Sequence, residues 1–302
     1  VSVLCRQRDT ESEEHLINHC MKTKTLILFV ALMGLIMTSC GKSDPIDTKA
    51  TEAADDVALS EALYDDAFAS LEIATVFAEV GKKSASILDS CPLITVNSPG
   101  QEFFPRNIVI DYGTGCTGLY DVERSGKILI TLSGPRGTTG SERVLTFDNY
   151  YVNDAKVEGT YTIENLGPNS SQNAVFAVSL EGGKITFPDA KFITKEFSRQ
   201  REFIRGYGTW SPWDDRCLIT GTSSGTNLDG KAYSLTVTNP LEWTASCRFL
   251  IGGTIRFEVD GIEPFELDYG TGECDATATL SRGDESKEIT LQYRHPKYRD
   301  NK

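Results

Sequence analysis

The chain has 302 residues, with 43 acidic against 30 basic side chains and a formal net charge of −13. Arg6, Arg8, Lys22 and Lys24 balance Asp9, Glu11, Glu13 and Glu14 over residues 1–39, so the negative excess belongs wholly to the rest of the chain. Such a charge serves solubility; it excludes phosphate-backbone recognition, which needs a basic surface, and electrostatic adhesion to anionic lipid.

Residues 1–20 carry acid where an export signal carries base, and are read as an upstream extension outside the native chain. The signal begins at Met21. Met21-Lys22-Thr23-Lys24 is a short positive segment, Leu26 to Met37 is uncharged and strongly apolar, and Thr38-Ser39 leads into Cys40. This is the layout of a secretory signal peptide over 21–39. Its apolar run is shorter than the roughly 20 residues needed to span a bilayer. Met37-Thr38-Ser39-Cys40-Gly41 resembles a lipobox, which makes Cys40 the lipidated first residue of the mature protein. The expected location is the outer membrane, lipid-anchored, on either its periplasmic or its outer face.

Residues 40–50 read as a polar tether containing Pro45. The spacing predicts an amphipathic helix over 51–82: Val57, Leu59, Leu63, Ala67, Leu71, Ala74, Phe77 and Val80 recur at helical intervals, while Asp55, Asp56, Glu61, Asp65 and Asp66 can face water. Gly81 suits the C-cap. The period then changes to two. Residues 108–110, 127–132, 174–180, 233–238 and 254–259 read as strands, and Asn153-Asp154, Gly182-Gly183, Asp229-Gly230 and Asp260-Gly261 read as hairpin turns. The predicted fold is mainly β: an antiparallel meander over 83–292 closing into a sandwich or barrel-like sheet, with a polar tail at 293–302.

Beyond Cys40 lie Cys91, Cys116, Cys217, Cys247 and Cys274. Export places them where disulfides persist, and no pair has the C-x-x-C spacing of a zinc or redox site. Ile110-Asp111-Tyr112-Gly113-Thr114-Gly115-Cys116 repeats as Leu267-Asp268-Tyr269-Gly270-Thr271-Gly272-Glu273-Cys274. Each copy has a cysteine upstream at nearly the same distance. This predicts a duplicated hairpin unit, about 91–133 and 247–292, with Cys91–Cys116 and Cys247–Cys274 as staples and Cys217 a free buried thiol. Other pairings of five cysteines stay open from spacing alone.

These turns, with Thr146-Phe147-Asp148-Asn149-Tyr150-Tyr151-Val152-Asn153, Gly182-Gly183-Lys184-Ile185-Thr186-Phe187-Pro188-Asp189 and Lys287-Glu288-Ile289-Thr290-Leu291, resemble an uncharacterised lipoprotein family of Bacteroides-type Gram-negative bacteria. The likeness covers most of 85–292. It implies location and architecture, and leaves activity open.

Apparent catalytic motifs lack their context. Gly113 to Gly118 satisfies G-x-G-x-x-G, but a dinucleotide site needs a helix to begin there, and Lys127 opens a strand. Gly221-Thr222-Ser223-Ser224-Gly225 satisfies G-x-S-x-G, but a nucleophile elbow needs a following helix and a histidine base. His295, in the polar tail, is the only histidine after Cys40. Asp111 and Asp268, each before a glycine turn, read as local hydrogen-bond acceptors, with calcium ligation as the alternative. The segment Gly206 to Asp215 holds two of the three tryptophans. Trp210, Trp213 and Asp214 there could form an aromatic patch for a glycan or similar flat ligand; otherwise the tryptophans cap the core. No cofactor, metal site or catalytic residue is expected. Three functions remain: a membrane-anchored binding or scaffolding module with a glycan or envelope-protein partner, a carboxylate-based glycan hydrolase, and a purely structural envelope protein.

Overall fold

A computed structural model describes residues 48–79, 84–86, 91–117, 122–209, 214–247 and 249–291. The chain divides into two units, Val1–Pro45 and Ile46–Lys302. The first lies outside the described residues and carries the expected signal peptide and Cys40. The expected tail, 293–302, lies outside them too.

Among the described residues, one helix, α1 (Thr48–Glu79), precedes fifteen strands. These are β1 (Ser84–Ser86), β2 (Leu93–Asn97), β3 (Arg106–Asp111), β4 (Cys116–Thr117), β5 (Glu123–Leu132), β6 (Glu142–Val152), β7 (Ala155–Pro168), β8 (Ala174–Thr186), β9 (Phe192–Arg205) and β10 (Arg216–Thr226). β11 (Ala232–Thr244), β12 (Gly252–Val259), β13 (Ile262–Thr271), β14 (Thr277–Arg282) and β15 (Glu285–Thr290) complete the set. Every pairing is antiparallel and the order follows the sequence, β1-β2-β3-β5 through β15, with the short β4 beside β5. The fold is thus the expected mainly β meander behind one helix. Its sheet stays open, because the pairing path ends at β1 on one side and β15 on the other. None of the described helix is long and apolar enough to cross a membrane.

The sheet curls around α1. Ser70 Oγ meets the Tyr112 hydroxyl just after β3 at 2.9 Å, and the Asp56 carboxylate accepts from the Leu228 N–H in the β10–β11 turn at 3.2 Å. The two helix residues are 70 − 56 = 14 positions apart, about 21 Å along the axis. Six inter-strand steps separate β3 from β10, about 29 Å on a flat sheet. The strands must therefore bend toward the helix. Leu59, Leu63, Ala67, Leu71, Ala74 and Ala78 pack into the core under β2 to β9, and Ala50, Ala53, Ala54 and Val57 pack into a second cluster with β11 to β14. Small side chains at these points let the helix axis come close to the strands.

Gly182-Gly183 corrects one expected turn: both residues lie inside β8. The β8–β9 register shifts between Leu180 and Gly183, and the β7–β8 register shifts beside Gly159. A Cβ on Gly183 would stand 2.3 Å from the Lys195 carbonyl oxygen and 2.8 Å from the Tyr64 hydroxyl. The glycine lets the helix tyrosine reach the sheet, and the bulge bends the strand around it. The other expected turns join strands. Asn153 and Asp154 link β6 to β7 with φ of 44° and 65°, the left-handed values that a two-residue hairpin loop requires.

Because strands alternate in direction, connections fall on two rims. The lower rim carries the β6–β7, β8–β9 and β10–β11 turns; the upper carries the β7–β8 and β9–β10 connections. The helix itself begins three residues earlier than expected.

Candidate functional site

The two repeated turns have the same internal construction. Asp111 Oδ1 accepts the Gly113 N–H at 2.8 Å, and Asp268 Oδ1 accepts the Gly270 N–H at 2.8 Å. Lys127 Nζ lies 3.0 Å from the other Asp111 oxygen; that ammonium and the Gly113 N–H hold the Asp111 carboxyl below its usual range. Disulfides join Cys91 to Cys116 and Cys247 to Cys274, and Cys217 is free and buried. Nine pairing steps separate β3 from β13. That odd number points the two strands in opposite directions. The first staple and turn therefore lie on the lower rim and the second on the upper, so Asp111 and Asp268 cannot share a site.

The acidic residues of α1, expected to face water, mostly turn to the sheet. Asp56 is 6% exposed. Glu61 accepts from Lys195 Nζ at 2.7 Å and from Arg199 Nη1 at 3.0 Å. Asp66 accepts from Arg124 Nε at 2.8 Å and from the Tyr150 hydroxyl at 3.1 Å. Glu72 pairs with Arg143 and Arg136, and Glu79 accepts the Arg136 N–H at 2.7 Å. Of the five acids expected to face water, Asp55, Asp56, Glu61, Asp65 and Asp66, Asp65 is the one that stays exposed, its side chain at 64%, with Arg201 Nη2 3.9 Å away. The reason lies in the strands: Arg124, Arg143, Lys195, Arg199 and Arg201 point into the curl, and burying them without partners would cost far more than the pairing.

Burial pushes the Glu61 carboxyl up, but Arg199 and Lys195 outweigh it and hold the group well below the ordinary range. Burial lowers the Lys195 ammonium despite Glu61. Burial raises the Asp65 carboxyl, opposed by Arg201 and by the water that reaches this exposed side chain. Glu61 has both oxygens committed to cations and offers neither a base nor a nucleophile. Lys195 Nζ also lies 3.2 Å from Ser60 Oγ. Ser60 gives its proton to the Val57 carbonyl at 2.7 Å, and both residues are fully buried, so this is a structural contact. Ser223 of the G-x-S-x-G motif is mid-strand in β10, buried, and donates to the Glu196 carbonyl at 3.0 Å. Burial pushes the Cys217 thiol up to about 11, which makes it inert at neutral pH.

Two shallow depressions lie outside this seam. One, about 310 Å³, has Leu166, Pro168, Val175 and Leu218 around Glu202. The Glu202 Oε1 accepts amide donors from Asn169 at 2.8 Å and Asn173 at 2.7 Å, which hold its carboxyl below the usual range. The other, about 420 Å³, is lined by Glu123, Ser125, Tyr151, Asn153, Asp154 and Pro188 on the lower rim. Sequence reasoning missed both. Asn153-Asp154 was legible only as a turn, and nothing local tells that Glu123 and Pro188 come beside it.

Of the expected aromatic patch, Trp210 and Trp213 lie outside the described residues. Asp214, on the upper rim, accepts from the Thr209 hydroxyl at 2.8 Å. Among the described residues, no three His, Cys, Asp or Glu side chains group to hold a metal ion. Comparison of the chain with protein-family models, with curated proteins and with solved structures returned no match.

Proposed function

We propose that this chain is a cell-envelope lipoprotein of the Bacteroides-type kind, anchored through lipid on Cys40, that acts as a non-enzymatic binding or scaffolding module. The observation that carries the second half is the fate of the carboxylates. Asp111 and Asp268 close turns on opposite rims, and Glu61, Asp66 and Glu72 neutralise strand cations. A glycan hydrolase needs a carboxylic acid kept protonated by burial opposite a second carboxylate. Glu123 and Asp154, which share one depression, are both exposed, and that favours recognition over acid catalysis. The helix-stiffened sheet supplies a rigid frame, and its rims carry the connections on which binding residues ride.

The test takes the anchor and the activity in turn. Cys40→Ser should abolish incorporation of labelled fatty acid and release the protein from the membrane fraction; a variant that still partitions to membranes ends the lipoprotein reading. Reversible crosslinking of the anchored protein in cells should then capture a defined envelope glycan or protein. Turnover of chromogenic glycosides that disappears in Asp154→Asn would replace binding with hydrolysis.

A further inference from the structure

We infer that the lower-rim depression beside the first Asp-Tyr-Gly-Thr-Gly turn is a carbohydrate site, selective for neutral sugar rings. The inference rests on the binding-module reading and names its ligand class.

The site is built by register. Ser125 of β5 pairs with Tyr151 of β6. Tyr150 and Val152 are buried on the inner face, so alternation puts Tyr151 on the outer one, and Glu123 and Ser125 follow because Arg124 between them reaches inward to Asp66. The β6–β7 turn is clamped to the same strand: the Asn153 N–H donates to the Glu123 carbonyl at 2.9 Å, and the Glu123 N–H donates to Asn153 Oδ1 at 2.9 Å. Pro188, from the β8–β9 turn, closes another wall. The repeated motif enters here as well. A Cβ on Gly115 would lie 3.1 Å from Glu123 Oε1, so the first turn backs the carboxylate, with Thr117 paired to Glu123 next to the Cys91–Cys116 staple. Gly272, its counterpart in the second copy, has nothing near it. One copy of the motif supports a ligand seat; the other is a turn alone.

The lining sets the ligand. A half-buried tyrosine ring offers a flat apolar face with a polar edge, against which the C–H face of a pyranose can lie. The carboxylates of Glu123 and Asp154 accept hydrogen bonds, and the Ser125 hydroxyl can donate or accept; together they satisfy ring hydroxyls that must donate. No basic side chain lines the depression, and Lys156, the cross-strand neighbour of Tyr151, is engaged by Glu158 at 2.9 Å, so a phosphate, sulfate or uronate would meet a lining of net negative charge. Among the described residues, no three His, Cys, Asp or Glu side chains group to hold a cation, here or elsewhere. A volume of about 420 Å³ falls in the range of small-ligand sites.

The full chain, purified in detergent, is applied to a printed array of neutral and acidic oligosaccharides. Binding to neutral glycans is expected, weakened at least tenfold by Tyr151→Ala and by Asp154→Asn at unchanged melting temperature. Tyr151→Leu, which keeps apolar bulk without the flat ring, should show the same loss and guards against misfolding of the alanine variant. Preference for acidic glycans, or retention of binding by Tyr151→Leu, overturns the inference. So does loss of binding confined to a Trp210→Ala, Trp213→Ala double variant. A silent array with a partner still captured from cells removes the sugar site and leaves the binding-module reading intact; a silent array with no captured partner removes both.

Discussion

Glu61→Gln tests whether the charges buried between helix and sheet are held by one another. Lys195 has no exposed surface, and its ammonium has two polar contacts, Glu61 at 2.7 Å and Ser60 at 3.2 Å. Removing the carboxylate leaves an uncompensated buried cation, which costs about 3–5 kcal/mol. At about 2–4 °C per kcal/mol for a domain of this size, the melting temperature should fall by roughly 6–20 °C. Differential scanning calorimetry and urea titration at neutral pH measure the loss, and a Glu61→Gln, Lys195→Met double variant should recover part of it. The pH dependence has a definite sign. Glu61 has a depressed folded-state pKa, so its contribution is present above the ordinary carboxylate pKa and lost as pH falls through and below it; the gap between wild type and variant should narrow in acid. In the variant, Lys195 loses its counter-charge and its folded-state pKa falls further, so the unfolded chain binds the extra proton and stability rises with pH toward the ordinary lysine value. A variant within about 0.5 kcal/mol of wild type at neutral pH, the range of ordinary surface substitutions, refutes the reasoning.

Non-reducing peptide mapping should find Cys91–Cys116 and Cys247–Cys274, and removing either bridge as a Cys→Ala pair should cost about 2–5 kcal/mol; Cys217 linked to any of the four contradicts the fold. Cys217, with its thiol raised to about 11 by burial, should resist alkylation at pH 8 in the folded protein and react on unfolding; labelling at equal rates in both states would place it on the surface. Gly183→Val forces a Cβ to within 2.3 Å of the Lys195 carbonyl and should destabilise by at least about 2 kcal/mol, as overpacking does, whereas Gly182→Ala meets no neighbour and answers only to its φ of 60°. Equal stabilities for the two variants would mean that the Lys195 carbonyl of β9 does not approach Gly183 so closely.

The meander and both staples were legible because they rest on local signals: alternation in strands, turn dipeptides, and two cysteines bracketing a hairpin. The repeated Asp-Tyr-Gly-Thr-Gly turn was legible for the same reason, and the Asp111 and Asp268 carboxylates accept from N–H donors only two residues away. What stayed hidden depends on long-range placement. Gly182-Gly183 has the composition of a hairpin turn and serves as a bulge, because the residue that needs its missing Cβ, Tyr64, is more than a hundred positions away. The lower-rim depression combines β5, the β6–β7 turn and the β8–β9 turn, and no window of sequence contains all three.

The helix misled most, and the reason bears on how the sheet holds its shape. Acidic residues at helical spacing ordinarily mark a solvated face. Here they answer cations that the strands present at alternate positions: Lys195, Arg199 and Arg201 on β9, Arg124 on β5, Arg143 on β6. Alternation in β9 reads Ile193, Lys195, Phe197, Arg199, Arg201, Phe203 on one side, a mixture that fits neither a solvent face nor an apolar core taken alone. A buried cation on a strand is a demand for an acid elsewhere, and α1 supplies acids over the length at which the strands make that demand, from Glu61 to Glu72. An open sheet of fourteen paired strands has no closure to fix its curvature. Cations at several strand positions, met by acids spaced along the helix, do fix it, since sliding the helix by one turn would put Ala62 or Ser70 where Asp66 meets Arg124. The ion pairs therefore matter more for the register of helix on sheet than for net stability, consistent with the modest worth of buried pairs relative to apolar packing.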